Sequence, residues 1–388
     1  MTTQAQPPAS SSSAGLAGVT AGDSSLSLVD GANGKLWYCG IPIEPLAEQG
    51  TFEECVYLLW NNDLPNADQL EALRQELRAN QEVPEEVWGV LRPLAGKQSL
   101  MDLLRTGVSA LSAFDDEVAT TREDVEGRGA IERRVAARLM AKMGPLVAGT
   151  YRLSRGKDVL KPRDDLSLSG NFLYLVNGEE PGEYEERIFD AALTLHADHG
   201  FNASTFAARV TAGTEADIYC AVTAAVGTLA GRLHGGANMR VMRMLEEIGE
   251  VDKAEAFVDA ILDKPKGRVM GFGHRVYKVY DPRATVLRAM AQELTSRTGN
   301  TKWFEMSTRI EARVFERKQL VPNVDFFSAS VYASLGLEPE LFTPIFAFSR
   351  ASGWLAHVLE QHADNRLIRP RANYVGHRDR PFVPLADR

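Results

Sequence analysis

The sequence is organised around the stretch R-V-M-G-F-G-H-R-V-Y-K-V-Y-D-P-R, residues 268–283. Two glycines precede His274 and let the backbone approach a ligand closely, while the imidazole can exchange a proton near neutral pH. Asp281 and Pro282 are typical of a helix start, which places Arg283 in the first helical turn. The stretch therefore predicts a site for an anionic ligand whose chemistry involves a proton. The plainer alternative is a solvated basic loop.

The composition is that of a globular protein with a large buried core. The chain has 388 residues, of which 44% are hydrophobic and 24% charged, so it can form one large domain or two of ordinary size. A formal net charge of -9 argues against nucleic acid and against an anionic membrane surface as partners. The sequence has no apolar run of about 18 residues, so no membrane-spanning helix is predicted.

The N-terminus and the cysteines bear on the cellular compartment. Residues 1–14 are rich in Ser, Pro and Ala, and they lack the basic and apolar segments of a secretory signal, so we predict a flexible tail. The three cysteines, Cys39, Cys55 and Cys220, lie far apart, which fits a reducing compartment without a disulfide framework. We therefore expect a cytoplasmic location.

Hydrophobic periodicity predicts a mostly α-helical fold. The turn D-G-A-N-G predicts one short β-hairpin within residues 25–39, and almost every later segment has helical periodicity. Capping boxes begin helices at Thr51 and Asn66, and long helices are expected at about residues 131–153 and 340–361. No Gly/Ser linker divides the chain after the N-terminal tail, so any second domain has to be an insertion.

The motif L-H-A-D-H-G-F-N-A-S-T-F carries His196 and His199 three residues apart at the end of an amphipathic helix. This spacing places both imidazoles on one helix face, where together with Asp198 they could hold a metal ion for a hydrolytic reaction. The alternatives are a histidine that binds a substrate and a structural histidine that is hydrogen-bonded to the backbone.

The motif L-H-G-G-A-N places His234 before two glycines, where the backbone turns sharply. An imidazole on such a loop is a candidate ligand-binding group. The structural alternative is an inter-helix turn in which His234 caps the preceding helix.

In the motif V-P-N-V-D-F-F-S, Asp325 lies between apolar residues at a predicted helix start. A carboxylate in apolar surroundings has a raised pKa, which makes it a usable general base. The structural alternative is that Asp325 is the N-cap of the helix.

Two arginines near the C-terminus complete the candidate residues. Arg350 interrupts an otherwise apolar helix, and a buried guanidinium requires either an internal carboxylate or a dicarboxylate ligand. Arg369 begins an irregular segment rich in proline and arginine, which is either a frayed tail or a segment that wraps over a partner. Its apolar residues Tyr374, Phe382 and Val383 favour the second interpretation.

Together these motifs resemble the citrate synthase family, and the resemblance covers about residues 18–384. G-F-G-H-R-V-Y-K-V-Y-D-P-R matches the family signature, and L-H-G-G-A-N, P-N-V-D-F and D-N-R-L-I-R-P occur in the family's order. The chain length resembles the short, homodimeric bacterial and archaeal type. The resemblance implies a large helical domain of residues 15–235 and 340–388, a smaller inserted helical domain of residues 236–339, and an active site between them.

The resemblance also implies three catalytic residues. His234 would hydrogen-bond the thioester carbonyl of acetyl-CoA and stabilise its enol, and Asp325 would remove the methyl proton. His274 would polarise the ketone of oxaloacetate and protonate the alkoxide that forms on attack. No metal ion or other cofactor is expected, because the coenzyme A thioester is a substrate.

Substrate-binding residues follow from the same resemblance. His199, Arg283 and Arg350 would hold the carboxylates of oxaloacetate, and Arg369 would reach in from the other subunit of a homodimer. The predicted contacts to coenzyme A are Arg268, Val269, Met270, Gly271, Phe272 and Lys278.

The implied activity is that of an acyltransferase, the condensation of acetyl-CoA with oxaloacetate to citrate at the entry of the tricarboxylic acid cycle. The near alternative is 2-methylcitrate synthase, which uses propionyl-CoA with the same residues; one methylene changes selectivity by only about 1–3 kcal/mol. An alternative of another class is a catalytically silent acyl-CoA-binding protein. Gly200, Arg232 and Met239 differ from the residues that are common at these positions in the family. These differences concern the detail of the oxaloacetate pocket and the orientation of His234.

Overall fold

The structure, a computed structural model, describes residues 14–16, 18–123, 128–274, 276–299 and 301–388. The predicted flexible tail, residues 1–14, lies outside this part except for Ala14, which begins a short 3-10 turn. The described residues form a mostly α-helical protein with one small antiparallel sheet. The predicted fold class is therefore confirmed.

The sheet forms near the N-terminus. Its strands, in spatial order, are β1 (Ser27–Asp30), β2 (Lys35–Tyr38) and β3 (Ile41–Pro42). The predicted hairpin is present, with Ser27 opposite Tyr38 and Asp30 opposite Lys35. The third strand was not predicted, because two residues carry no detectable alternation.

The helices are numbered in chain order. The first nine are α1 (Ile43–Gln49), α2 (Phe52–Asn61), α3 (Ala67–Arg78), α4 (Glu85–Leu91), α5 (Leu100–Leu111), α6 (Glu117–Glu123), α7 (Arg128–Ser154), α8 (Leu168–Asn177) and α9 (Glu183–His196). The others are α10 (Ala203–Ala212), α11 (Ile218–Leu229), α12 (Ala237–Ile248), α13 (Ala254–Leu262), α14 (Pro282–Thr298), α15 (Lys302–Lys318), α16 (Val324–Ser334) and α17 (Phe342–Ala363).

Capping explains which helix starts were predictable. Both predicted capping boxes are present, at Thr51 before α2 and at Asn66 before α3. Helices α1 and α4 were not predicted; they follow Pro42 and Pro84 and have no side-chain cap. The start of α10 at Asn202 was also missed, although the Asn202 side chain accepts a hydrogen bond from the Thr205 amide.

Helix α17 lies in the core and contacts α2, α7, α9, α10 and α11. Its Trp354 is fully buried, and its Phe348 stacks on Phe172 of α8 with ring centroids 5.5 Å apart. Gly149 of α7 leaves room for the Trp88 ring of α4, because a Cβ atom at position 149 would lie 2.3 Å from the indole. The predicted apolar helix is therefore central, and it carries Arg350 into the interior.

Helices α12, α14 and α15 pack against α16, and α13 packs against α15. Surface ion pairs support the last contact, with Arg313 and Arg317 of α15 both bonded to Asp259 of α13. None of the described helices is long and apolar enough to cross a membrane. Among the described residues, the three cysteines form no disulfide.

The chain after α17 is irregular and almost wholly exposed. Its apolar residues do not pack on the core: Leu367, Tyr374, Val375 and Phe382 all lie in solvent in this single chain. The interpretation that this segment wraps over a partner stays a prediction.

Candidate active site

His234 lies in the tight turn between α11 and α12. Its Nε2 accepts a hydrogen bond from the Ser204 amide at 3.2 Å and lies 2.8 Å from the Ser204 hydroxyl oxygen. An amide can only donate, so Nε2 is unprotonated and the neutral ring carries its proton on Nδ1. Burial, with a smaller contribution from the Arg350 charge, lowers the pKa of His234 to about 4. The imidazole is therefore a neutral hydrogen-bond donor.

The support for His234 comes from α10. Ser204 is buried, its hydroxyl lies 2.8 Å from the Asn202 side-chain oxygen, and it accepts a hydrogen bond from the indole Nε1 of Trp354 at 3.1 Å. Since Asn202 also caps α10, the ring of His234 is held against a fixed helix N-terminus, whose positive end disfavours protonation. The alternative that His234 caps α11 is wrong, because Ala230 is at that position.

His274 is held by the same kind of contact with the opposite ring nitrogen. Its Nδ1 accepts hydrogen bonds from the amides of Val276 at 3.0 Å and Tyr277 at 3.1 Å. The neutral ring therefore carries its proton on Nε2. Burial, followed by the Arg283 charge, lowers the pKa of His274 to about 4.

His199 lies beside His274, with ring centroids 5.4 Å apart and perpendicular planes. Its Nε2 is 3.2 Å from the hydroxyl oxygen of Tyr277. Burial, then the charges of Arg283 and His274, hold the pKa of His199 well below its usual range. Two neutral imidazoles thus face one another next to a tyrosine.

Arg283 is 2% exposed and forms a buried ion pair with Asp281. Its Nε and Nη2 donate to the two carboxylate oxygens of Asp281 at 3.1 and 2.9 Å. Asp281 also accepts from the amides of Arg283 and Val324, so it joins the start of α14 to the start of α16. The predicted N-cap role of Asp281 is confirmed, and among the described residues the remaining guanidinium nitrogen has no hydrogen-bond partner.

Arg350 is 1% exposed, and its Nε donates to the carbonyl of His196 at 2.7 Å. Its guanidinium lies 4.7 Å from the centre of the Phe346 ring. Burial lowers the pKa of Arg350 to about 10. No carboxylate pairs with it in the described part of the chain, so its charge is available to an anionic ligand.

Asp325 lies in the first turn of α16 and is partly buried. Burial raises its pKa to about 6, although the charges of Arg283 and Arg350 act in the opposite direction. The N-cap alternative is wrong, because Asn323 caps the helix and accepts a hydrogen bond from the Asp325 amide. The raised pKa agrees with the sequence-based expectation for a general base.

The two arginines show that the predicted residues converge. The Arg350 charge acts on His199, His234 and Asp325, and the Arg283 charge acts on His199, His274 and Asp325. Arg369 is not at this place; it is exposed in the segment after α17. Its contribution from another subunit stays a prediction.

The loop predicted to contact coenzyme A lies beside the base. Phe272 forms a β-bridge with Pro322 and packs against Phe326 in a tilted arrangement, with ring centroids 4.6 Å apart. Asn323 joins the two segments, since its amide donates to the Gly271 carbonyl and its side chain to the Gly273 carbonyl, both at 2.9 Å. The side chains of Arg268 and Lys278 are exposed, Val269 is buried and Met270 is partly buried.

Gly271 is the position in this loop that requires glycine. Its φ is +79°, and an added Cβ would lie 2.8 Å from Phe326. The loop therefore depends on glycine both for its backbone conformation and for its approach to α16.

The predicted metal-hydrolase alternative requires His196, Asp198 and His199 to converge, and they do not. His196 is buried with Nδ1 bonded to the Ala192 carbonyl, and Asp198 is 3.1 Å from Nε2 of His357. Within the described residues no cluster of three or more metal-ligating side chains occurs. Asp198 acts structurally here, because it also binds the Ser27 hydroxyl at 2.6 Å.

Comparison with known proteins identifies the family. The sequence model described as "Citrate synthase, C-terminal domain" matches residues 15–371. The citrate synthase of Haloferax volcanii is 50% identical over 377 residues, covering 96% of this chain and 98% of that one. The chain belongs to the citrate synthase family. A 2-methylcitrate synthase of Shewanella oneidensis is more distant, at 37% identity with 97% and 98% of the two chains covered.

Solved citrate synthases have the same fold. The Pyrobaculum aerophilum enzyme aligns with a TM-score of 0.90 at 41% identity, over 97% of this chain and 95% of that one. The Thermoplasma acidophilum enzyme, solved in a ternary complex with carboxymethyl coenzyme A and oxaloacetate, aligns with a TM-score of 0.88 at 32% identity, over 96% and 98%. The identification from the motifs is thus confirmed.

Within this family member, sequence reasoning missed the residues that support the site. Ser204, Tyr277 and Trp354 orient the histidines, and Asn323 fixes the loop. Ser204 was visible only as part of the quoted A-S-T-F segment, at the start of a helix that was not predicted. Their partners lie far away in sequence, so no local signal marked them.

The three departures from common family residues are accommodated locally. Gly200 has φ +57°, which favours glycine, and its amide donates to the Ser27 hydroxyl. The Arg232 carbonyl accepts from the Arg240 guanidinium at 2.9 Å, which closes the turn that carries His234. Met239 lies on α12 with its amide bonded to the Asn238 side chain.

Proposed function

We propose that the chain is a citrate synthase that condenses acetyl-CoA with oxaloacetate and hydrolyses the citryl thioester, with His234, His274 and Asp325 as its catalytic residues. The observation that carries this proposal is the protonation state of the site: a carboxylate with a raised pKa is combined with two neutral imidazoles, each with one N–H directed away from its protein partners. An acid–base pair of this kind suits a very weak carbon acid.

The first step is the removal of a methyl proton from acetyl-CoA. The Asp325 carboxylate accepts the proton, and its raised pKa makes it a stronger base than an exposed aspartate. One carboxylate cannot ionise a thioester methyl group alone. The Nδ1–H of His234 therefore donates a hydrogen bond to the thioester oxygen as negative charge develops there.

The second step forms the carbon–carbon bond. The enol carbon attacks the ketone carbon of oxaloacetate, and the Nε2–H of His274 polarises that ketone and supplies a proton as the alkoxide forms. His274 becomes an imidazolate as it gives up this proton, and the proton taken by Asp325 then replaces it, so both residues return to their starting protonation states. Arg283 and Arg350, with His199, hold the two carboxylates: Arg283 through the guanidinium nitrogen that Asp281 does not engage, and Arg350 through its two terminal nitrogens.

The third step is hydrolysis. Water adds to the thioester carbonyl of citryl-CoA, the C–S bond breaks, and citrate and the thiol of coenzyme A are released. We place coenzyme A against residues 268–272 and Lys278. Closure of the smaller domain (residues 236–339) onto the larger domain (residues 15–235 and 340–388) would exclude water until the carbon–carbon bond has formed.

Homodimer formation, with Arg369 contributed across the interface, is part of the proposal. It is supported by the exposure of Arg369 and of the apolar side chains after α17 in the single chain. A cytoplasmic location and a place at the entry of the tricarboxylic acid cycle are likewise proposed. The absence of disulfides among the three cysteines is consistent with a reducing compartment.

The test is release of coenzyme A thiol from acetyl-CoA and oxaloacetate, measured in parallel with propionyl-CoA. We expect a larger kcat/KM for acetyl-CoA, and a loss of about 10²–10⁴-fold in kcat for Asp325→Asn with oxaloacetate binding retained. A larger kcat/KM for propionyl-CoA would identify a 2-methylcitrate synthase. Full activity of Asp325→Asn would refute the mechanism, and a protein that binds acyl-CoA without turnover would be the silent alternative.

A further inference from the structure

A pocket of about 560 Å³ opens between α14 and α15, outside the candidate active site. Residues 320–322 line it, and the backbone of Pro322 pairs with that of Phe272, in the loop predicted to contact coenzyme A. None of the predicted coenzyme A contacts lines this pocket. Its volume is in the range of small-molecule sites, roughly 300–1,000 Å³.

The walls of the pocket are apolar and partly open to solvent. Phe315 is 49% exposed and Leu320 is 43% exposed, and Pro322 and Ala312 continue the same surface. Large apolar side chains that line a concave surface gain from covering by an apolar ligand. Phe315 offers an aromatic face, which favours a ring over a flexible chain.

The polar groups of the pocket include one ion pair. Glu311 accepts hydrogen bonds from the Tyr280 hydroxyl at 2.6 Å and from Nε of Arg288 at 3.0 Å, so the Arg288–Glu311 pair is neutral overall. The Arg288 side chain is 40% exposed, and among the described residues no hydrogen bond engages its two terminal nitrogens. These terminal N–H groups can donate to one anionic group, and the described residues that line the pocket include no further cation for a second.

We propose that this pocket binds a small aromatic monoanion, such as an aromatic carboxylate, with the ring against Phe315 and Leu320 and the anionic group on Arg288. This function does not involve the substrates of the proposed reaction. The proposal needs only the full chain and an equilibrium binding measurement.

The probe is 1-anilinonaphthalene-8-sulfonate, an aromatic monoanion whose fluorescence rises in apolar surroundings, titrated into the full-length protein. We expect saturable binding that 2-naphthoate displaces. Arg288→Gln should weaken binding about tenfold through the lost charge-assisted hydrogen bond, and Ala312→Phe should abolish binding by filling the pocket. Arg309→Gln is the matched control, because Arg309 is on α15, the other helix of the pocket, but bonds to Asp252 and does not line the pocket.

Three results would overturn the proposal. The first is binding that none of the variants changes, and the second is binding that Arg309→Gln weakens as much as Arg288→Gln does. The third is displacement of the probe by coenzyme A with oxaloacetate, since the probe would then occupy the active site.

Discussion

At the scale of single residues, backbone amides set the chemistry of the candidate site. His234 and His274 each accept from an amide with one ring nitrogen, which fixes the tautomer and leaves the other N–H as a donor. Asp325 has the opposite surroundings, because its carboxylate lacks such donors among the described residues and its pKa rises to about 6. The neutral acids and the base are thus defined by local contacts.

The raised pKa of Asp325 predicts the acidic side of the pH profile. The carboxylate is the reactive form, so kcat/KM for acetyl-CoA should fall as the pH drops through about 6. The histidines, with pKa values of about 4, remain neutral over that range. Initial rates between pH 5 and pH 8, in buffers of constant ionic strength, test this; a profile that stays flat to pH 5 would contradict it.

The same shift predicts a gain in stability on neutralising Asp325. The folded-state pKa of Asp325 lies above the unfolded value of 3.8, so ionisation of its carboxyl group destabilises the folded state. This destabilisation is complete above about pH 6 and absent below pH 3.8. Asp325→Asn should therefore raise the free energy of unfolding by up to about 3 kcal/mol at pH 7.5, since each unit of the pKa shift corresponds to about 1.4 kcal/mol. Urea unfolding should show this gain shrinking toward pH 4; an equal gain at both pH values would point to another cause.

At the scale of elements, one carboxylate joins two helices. Asp281 caps α14, binds the guanidinium of Arg283 and accepts from the Val324 amide at the start of α16. The start of α16 is also tied to the 271–273 loop through Asn323. Asp325, Arg283 and the 271–273 loop are therefore positioned as one unit.

Asp281→Asn tests this connection. Removing one partner of a buried ion pair should lower the free energy of unfolding by about 3–5 kcal/mol. Since the Asp281 charge helps to raise the pKa of Asp325, the acidic limb of kcat/KM should also move to lower pH. Asp259→Asn, which removes exposed ion pairs with Arg313 and Arg317, is the control and should change stability far less. An unshifted pH profile in a folded Asp281→Asn protein would show that Asp281 does not affect the pKa of Asp325.

At the scale of the whole molecule, the single chain leaves part of the proposed site unfilled. Arg369 lies in an exposed segment with apolar side chains in solvent, whereas Arg283 and Arg350 are buried beside the histidines. The proposal that Arg369 is supplied in trans predicts that activity is a property of the dimer.

Complementation tests the shared site. Arg369→Ala and Asp325→Asn should each be nearly inactive alone. Unfolding and refolding them together in equal amounts should restore about a quarter of the parental activity, because half of the dimers are mixed and each has one complete site. Light scattering checks that dimers have formed. No recovery from mixed dimers would show that Arg369 acts within its own chain or not at all.

The sequence by itself determined the helical fold, the family and the candidate residues, because glycine-flanked histidines, capping boxes and an arginine within an apolar helix are local signals. Only the tertiary structure decided the tautomers of His234 and His274, the role of Asp281 between α14 and α16, and the replacement of Asp325 by Asn323 as the cap of α16. The tautomer of His234 depends on Ser204, and Ser204 on Trp354, which lie far away in the chain. The contacts of His274 and Asn323 are with near neighbours in sequence, but they exist only in the folded loops. Burial and long-range hydrogen bonds arise only when the chain has folded, and they set the pKa values on which the proposed chemistry depends.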